Sequence, residues 1–293
     1  MSPLSITDLS EARATRPESI AEAAASRARR PLLGASGRML IVAADHPARG
    51  SLAAGGDPLA MANRADLLDR LCTALERPGV DGVLGTADVL EDLLLLGALE
   101  HKVVIGSMNR GGLSGSSFEL DDRFTGHRAQ DLHRMRFDAG KLLLRVDFDD
   151  PGSLNTMQGA ADAINELAER GLIAMVEPFL SRRAGGEVRN DVSAEAVARS
   201  LAIASGLGGT SAYTWLKVPV VDELDEIARA LESTTLPTVL LGGEVPDDPA
   251  ATRQRWRAAL HLPHVRGLVV GRSLLYPEDD DVAGAVDAAV ALL

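Results

Sequence analysis

Eight short apolar runs, each set off from the next by an amphipathic or polar stretch, constrain this chain more than any other feature of its sequence. The runs are Met39–Ala44, Gly82–Thr86, Val103–Ser107, Leu142–Phe148, Leu172–Val176, Tyr213–Val218, Thr238–Leu241 and Gly267–Val270. They are short and apolar on both faces, as strands of a buried parallel sheet are. Helical periodicity fills Pro58–Glu76, Asp88–Glu100, Leu154–Arg170, Ala194–Ser205 and Asp222–Glu232. Strands alternating with helices are βαβ units, so the fold class is α/β. About eight such units in a chain of 293 residues predict a closed (βα)8 TIM barrel over its alternative, an open doubly wound sheet. An N-terminal helical extension (residues 1–30) is expected before a catalytic barrel domain (31–293). The Ala/Arg-rich stretch from Glu11 to Arg30 reads as a leading helix; its acidic residues and lack of an apolar segment separate it from a signal peptide.

In a barrel of this kind, functional residues belong at the C-terminal strand ends and in the loops that follow. The net charge of -12 argues against nucleic acid, which needs a positive face, yet leaves room for a local basic pocket holding one phosphate. No apolar run is long enough to span a membrane. Cys72 is the single cysteine, so no internal disulfide is available and a reducing, cytoplasmic setting is expected. Whether identical chains associate is left open.

Of the 30 basic residues, only Lys102, Lys141 and Lys217 are lysines. A genome rich in arginine codons accounts for the bias, and under that pressure lysine persists where arginine cannot replace it. A desolvated lysine amine can lose its proton and attack a carbonyl; a guanidinium stays charged. Lys217 ends the predicted sixth strand and shares a face with Tyr213 and Trp215. It reads either as a Schiff-base nucleophile with a pKa lowered at an apolar mouth, or as a lysine snorkelling from a strand end. By position, Lys141 opens the fourth strand and belongs to the barrel floor, and Lys102 is a solvated strand start. Glu177 ends the predicted fifth strand before Pro178; it is placed either to shuttle protons, with burial raising its pKa, or to cap the next loop.

Asp45 and His46 end the first strand; Asp45 reads as a substrate-hydroxyl or acid/base residue with Arg49 as an anion contact, or else the segment is an N-cap or turn. Leu241-Gly242-Gly243-Glu244 and Val270-Gly271-Arg272-Ser273 stand where barrels hold a phosphate, after strands seven and eight. Glycines allow backbone approach to the anion and Arg272 adds a charge-assisted bond. Asn109–Ser117 is too glycine-rich for a helix and is either a lid bringing Arg110 to the site or a loose connection. The six histidines lack metal-ligand spacing, and no dinucleotide or Walker motif is present, so no cofactor is expected.

At these positions the sequence resembles the class I aldolases related to tagatose-1,6-bisphosphate and sulfofructose-phosphate aldolases, and more distantly the archaeal-type fructose-bisphosphate aldolases. The likeness runs from about Arg38 to Tyr276. Leu216-Lys217-Val218 is similar to the Schiff-base segment and Met175-Val176-Glu177-Pro178 to the acid/base strand. Lys141-Leu142-Leu143-Leu144 resembles a strand whose lysine lines the site, which promotes Lys141 above its positional rank. Val270-Gly271-Arg272 matches the phosphate-binding Gly-Arg. Asp45-His46-Pro47 departs from the Asp-Gln and Asp-His-Gly forms, so hydroxyl recognition is expected to differ. The Asn109–Ser117 loop resembles a narrower actinobacterial group found beside inositol-catabolism genes. The resemblance implies a lyase acting on a phosphorylated sugar or keto-acid, with 2-deoxy-5-keto-gluconate 6-phosphate as the specific candidate. A transaldolase-type synthase and a non-catalytic sugar-phosphate-binding barrel are the alternatives.

Overall fold

Parallel strands need long crossovers between them, and the amphipathic stretches supply these. The computed structural model describes residues 3–221, 223–243, 245–246 and 248–293. The expected leading helix is two short ones, α1 (Leu9–Thr15) and α2 (Ser19–Ser26). Pro17 lies between them; the residue before a proline is steered away from helix, which breaks the run at Arg16. There follow β1 (Met39–Ala44), α3 (Arg64–Glu76), β2 (Gly82–Gly85), α4 (Ala87–Leu95), β3 (Val103–Ser107), α5 (Ala129–Arg134) and β4 (Ala139–Val146). The second half runs α6 (Gly152–Ala168), β5 (Ile173–Ala184), β6 (Glu187–Asp191), α7 (Ala194–Ser205), β7 (Thr214–Val218) and α8 (Leu224–Leu231). It ends with β8 (Thr238–Leu241), α9 (Pro249–Ala259), β9 (Val265–Val270), α10 (Arg272–Leu275) and α11 (Val282–Val290). The expected helix start at Asp222 lies outside the described residues. Among those residues, no helix is long and apolar enough to cross a membrane.

Eight parallel strands close on themselves in the order β1-β2-β3-β4-β5-β7-β8-β9, with β9 pairing back to β1 and β4 to β5. This is the (βα)8 barrel. The ninth strand, β6, is an antiparallel arm that folds back on an extended β5. Gly185 and Gly186, at φ +62° and +89°, make the tight turn between them.

Alternation along each strand sorts the core into two. Leu40, Val42, Ala44, Val104, Val176 and Leu216 face the helices. Met39, Ile41, Ile105, Ala139, Met175, Trp215 and Val239 fill the barrel interior. Leu32 and Leu33 pack on that inner cluster from the segment before β1. Buried Arg27 donates to the carbonyls of Lys102 (2.8 Å) and Arg136 (2.6 Å), tying the N-terminal segment to the approaches of β3 and β4. Lys102 stays at this end, donating to the Val80 carbonyl.

Closure depends on backbone contact where β9 meets β1. Gly267 has φ +141°, and a Cβ there would sit 1.9 Å from the Met39 carbonyl oxygen. Gly267→Ala is therefore expected to cost roughly 3 kcal/mol or more, read as a lowered urea midpoint. Gly37→Ala is the control: its φ is +69° but nothing lies within 4 Å of the new Cβ, so about 1 kcal/mol of backbone strain is expected. Equal losses at the two positions would contradict the closure argument.

Candidate active site

Two residues further along the inner face, three strands change from apolar to charged. Lys141 follows Ala139 on β4, Glu177 follows Met175 on β5, and Lys217 follows Trp215 on β7. A two-residue step keeps a side chain on the same face, so the sequence places all three inside the barrel just above its apolar filling. Lys217 Nζ lies 2.7 Å from Glu177 Oε1. Lys141 Nζ lies 2.5 Å from Glu177 Oε2 and 3.3 Å from Asp45 Oδ2. Asp45 also pairs with Arg110 and accepts from Ser107 Oγ at 3.2 Å, while Arg110 Nε donates to the same Ser107 oxygen at 2.8 Å.

This geometry corrects two positional readings. Lys141 does not belong to the floor: β4 begins two residues earlier, at Ala139, and the lysine is buried at 2 % exposure in contact with Glu177. Glu177 does not end its strand, because β5 runs through Pro178 to Ala184. Pairing of β4 with β5 continues to Leu180, so the site lies part-way up a long ladder.

Electrostatics corrects a third. Burial acting alone would raise the Glu177 carboxyl pKa, but the ammonium groups of Lys141 and Lys217 outweigh it and hold the group below the usual carboxylate range. Glu177 is thus ionised at neutral pH and enters any proton transfer as an acceptor. Lys141 is driven well below the usual lysine value, first by burial and then by Arg110 and Lys217, against the pull of Glu177. Burial likewise lowers Arg110 to about 10.

These groups open into a cavity of about 640 Å³. Gly242, Gly243, Gly271 and Arg272 line it after β8 and β9, and Arg49 lines it after β1. Gly271 allows close approach to β1, since a Cβ there would lie 2.4 Å from the Ala43 carbonyl oxygen. Glu244 lies outside the described residues. The described lining residues include the cations Arg49, Arg110, Lys141, Arg145, Lys217 and Arg272 and the carboxylates Asp45 and Glu177; Arg49 and Arg145 also pair with Glu119 and Asp122, which do not line the cavity. The cavity is therefore rich in cations inside an acidic protein. Two other grooves, one beside β6 and one between α9 and α11, contain no lysine. Among the described residues, no cluster of three His, Cys, Asp or Glu is placed to hold a metal.

The root of the Asn109–Ser117 loop is fixed. Asn109 is fully buried, and its side chain accepts from the Leu143 N–H at 2.7 Å and donates to the Leu143 carbonyl at 2.5 Å, extending the β3–β4 pairing. The tip, including Leu113, is exposed.

The sequence profile of the Cgl0159-like family matches residues 37–290. The chain belongs to the Cgl0159-like family. The crystal structure of Cgl0159 from Corynebacterium glutamicum shares 53% identity and a TM-score of 0.95, covering 100% of this chain and 97% of that one. An archaeal fructose-1,6-bisphosphate aldolase, solved with its catalytic Lys covalently bound to the carbinolamine intermediate of its substrate, is 17% identical. Its TM-score is 0.67, over 93% of this chain and 98% of that one. A fructose-bisphosphate aldolase from Slackia heliotrinireducens is 15% identical with a TM-score of 0.60, over 96% and 90% of the two chains. At such identities the Cgl0159-like chain shares the aldolase barrel fold. A comparison with curated proteins returns no match.

Three residues of this Cgl0159-like barrel, two lining the cavity and one just behind it, had no part in the sequence reading. Arg145 follows Lys141 and Leu143 on the inner face of β4 and bonds Glu119 at 2.6 Å. Ser107 ends β3 and bridges Arg110 to Asp45. Asn190 comes from β6 and accepts from Ser181 Oγ at 2.9 Å. The Gly185-Gly186 pair between alternating residues was the available signal for that arm.

Proposed function

We propose that this chain is a class I aldolase that cleaves a phosphorylated ketose or keto-acid through a Schiff base on Lys217. The observation that carries the reading is Glu177 shared between two lysines inside a cation-rich cavity. A nucleophilic lysine needs a nearby proton acceptor, and the second lysine gives the proton somewhere to go. Glu177 takes a proton from Lys217 at Oε1 and, as the neutral acid, passes that proton on to the amine of Lys141. The freed amine attacks the ketone carbon, and the carbinolamine loses water with a proton returned through Glu177. The protonated imine then takes up the electron pair of the breaking carbon–carbon bond. An aldehyde leaves as its hydroxyl proton passes to Glu177, that proton is returned to the enamine carbon, and hydrolysis restores the lysine. This sequence calls on no metal or organic cofactor.

Gly242, Gly243, Gly271 and Arg272 hold the phosphate in this scheme, and Asp45 and Arg49 orient the hydroxyl-bearing end. The specific candidate, supported by the sequence resemblance, is 2-deoxy-5-keto-gluconate 6-phosphate. Cleavage between its C3 and C4 gives malonate semialdehyde and dihydroxyacetone phosphate.

The test is a panel of phosphorylated ketoses and keto-acids, including this one, with enzymatic detection of dihydroxyacetone phosphate. Release in proportion to enzyme supports the assignment. A chain that is stabilised by such compounds yet cleaves none would instead be a sugar-phosphate-binding barrel. Product formed only when a second aldehyde is added would make it a transaldolase-type synthase.

A further inference from the structure

The charged groups at the barrel mouth form a chain of alternating sign: Arg110, Asp45, Lys141, Glu177 and Lys217. Each is at least nine-tenths buried. Three cations thus share two carboxylates. An arginine holds its proton more tightly than a lysine in the same setting, so the surplus positive charge is relieved first at a lysine. Protons in so closely coupled a set belong to the set as a whole.

We propose that Arg110 is a positioning residue that, by occupying Asp45, leaves one of the two site lysines neutral. The inference rests on the lysine-nucleophile reading for its catalytic meaning but not for its test. Without Arg110, two carboxylates would match two ammonium groups and both amines would stay protonated to higher pH. Without Asp45, the imbalance would grow and an amine would lose its proton at lower pH. Removing both restores an excess of one cation.

Two other arginines beside the chain are already paired and do not alter this count. Arg49 and Arg145, from the β1 loop and β4, are matched by Glu119 and Asp122 of the β3 loop. His46, beside Asp45, has its pKa pushed down to about 3 by burial and by Arg272, Lys217 and Lys141, so it is neutral at working pH. Arg272, after β9, acts on His46 from that wall. The described residues of β2 and β8 bring no charged side chain to the cavity. The strong lowering of Lys141 agrees with an amine that yields its proton.

The experiment measures amine ionisation in the full chain without substrate. Acetic anhydride labels neutral amines, and a digest resolves all three lysines, with Lys102 as internal reference. The labelling midpoint at Lys141 or Lys217 is expected to rise by about one to three pH units in Arg110→Gln. It should return towards wild type in Arg110→Gln/Asp45→Asn, with thermal melting confirming that each variant folds. Midpoints equal in wild type, Arg110→Gln and the double variant would overturn the proposal, as would a fall in Arg110→Gln. If Arg110→Gln does not fold, the Asp45→Asn midpoint decides: a fall supports the count and no change refutes it. Borohydride trapping with dihydroxyacetone phosphate, run in parallel, tests the imine separately. Shifted midpoints without trapping would refute the Schiff-base reading alone.

Discussion

Lys217→Met is expected to remove cleavage by at least about a thousandfold in kcat/KM, equivalent to roughly 4 kcal/mol of lost transition-state stabilisation. The substitution deletes the nucleophile while a side chain of similar length takes its place on the inner face, two residues after Trp215 and level with Val239 of β8. Lys141 remains paired with Glu177 at 2.5 Å, so the carboxylate keeps a counter-charge and the barrel should stay folded. Lys217→Arg sharpens the result. It preserves positive charge beside Glu177 but offers a guanidinium that does not form an imine. Equal loss in the two variants would locate the effect in covalent chemistry. Substantial activity in Lys217→Arg would show that the lysine acts only as a charge.

Glu177→Gln is expected to lower kcat by about 10² to 10⁴ while leaving substrate binding closer to wild type. The amide keeps the shape and can still hydrogen-bond the lysines, but it cannot take a proton from one and pass it to the other. Trapping of an imine should slow in proportion. The same change should alter the response of stability to pH. The carboxyl pKa of Glu177 is lowered in the folded state, so its stabilising contribution is present above the usual carboxyl range and fades as pH falls through and below it. The urea-midpoint gap between wild type and Glu177→Gln should therefore narrow on acidification. A gap that widened would mean that Glu177 is held protonated in the fold, contrary to the geometry of two ammonium neighbours.

Much of this site was legible in the chain because barrel strands obey a two-residue rule. Once the run Tyr213–Val218 is a strand, Trp215 and Lys217 must share its inner face, and the observed barrel puts them there. Lys141 was harder. Its apolar neighbours follow it, so periodicity alone set the strand start at Leu142; the two small residues before it, Ala139 and Gly140, carry little strand signal yet begin β4. Glu177 misled in a different way. Proline usually marks a strand boundary, but a barrel strand that continues past the mouth into a hairpin can keep Pro178 within it. The sign of the Glu177 pKa shift was not readable at all, because it depends on two lysines 36 and 40 residues away, brought together only by closure of the barrel.

The most direct measurement of the central claim is the location of a reduced adduct. The chain would be incubated with dihydroxyacetone phosphate, reduced with borohydride, digested and sequenced by mass spectrometry. One modified lysine is expected, Lys217, with Lys141 and Lys102 unmodified, and no adduct in Lys217→Met. An adduct on Lys141, or a yield unchanged by Lys217→Met, would contradict the claim.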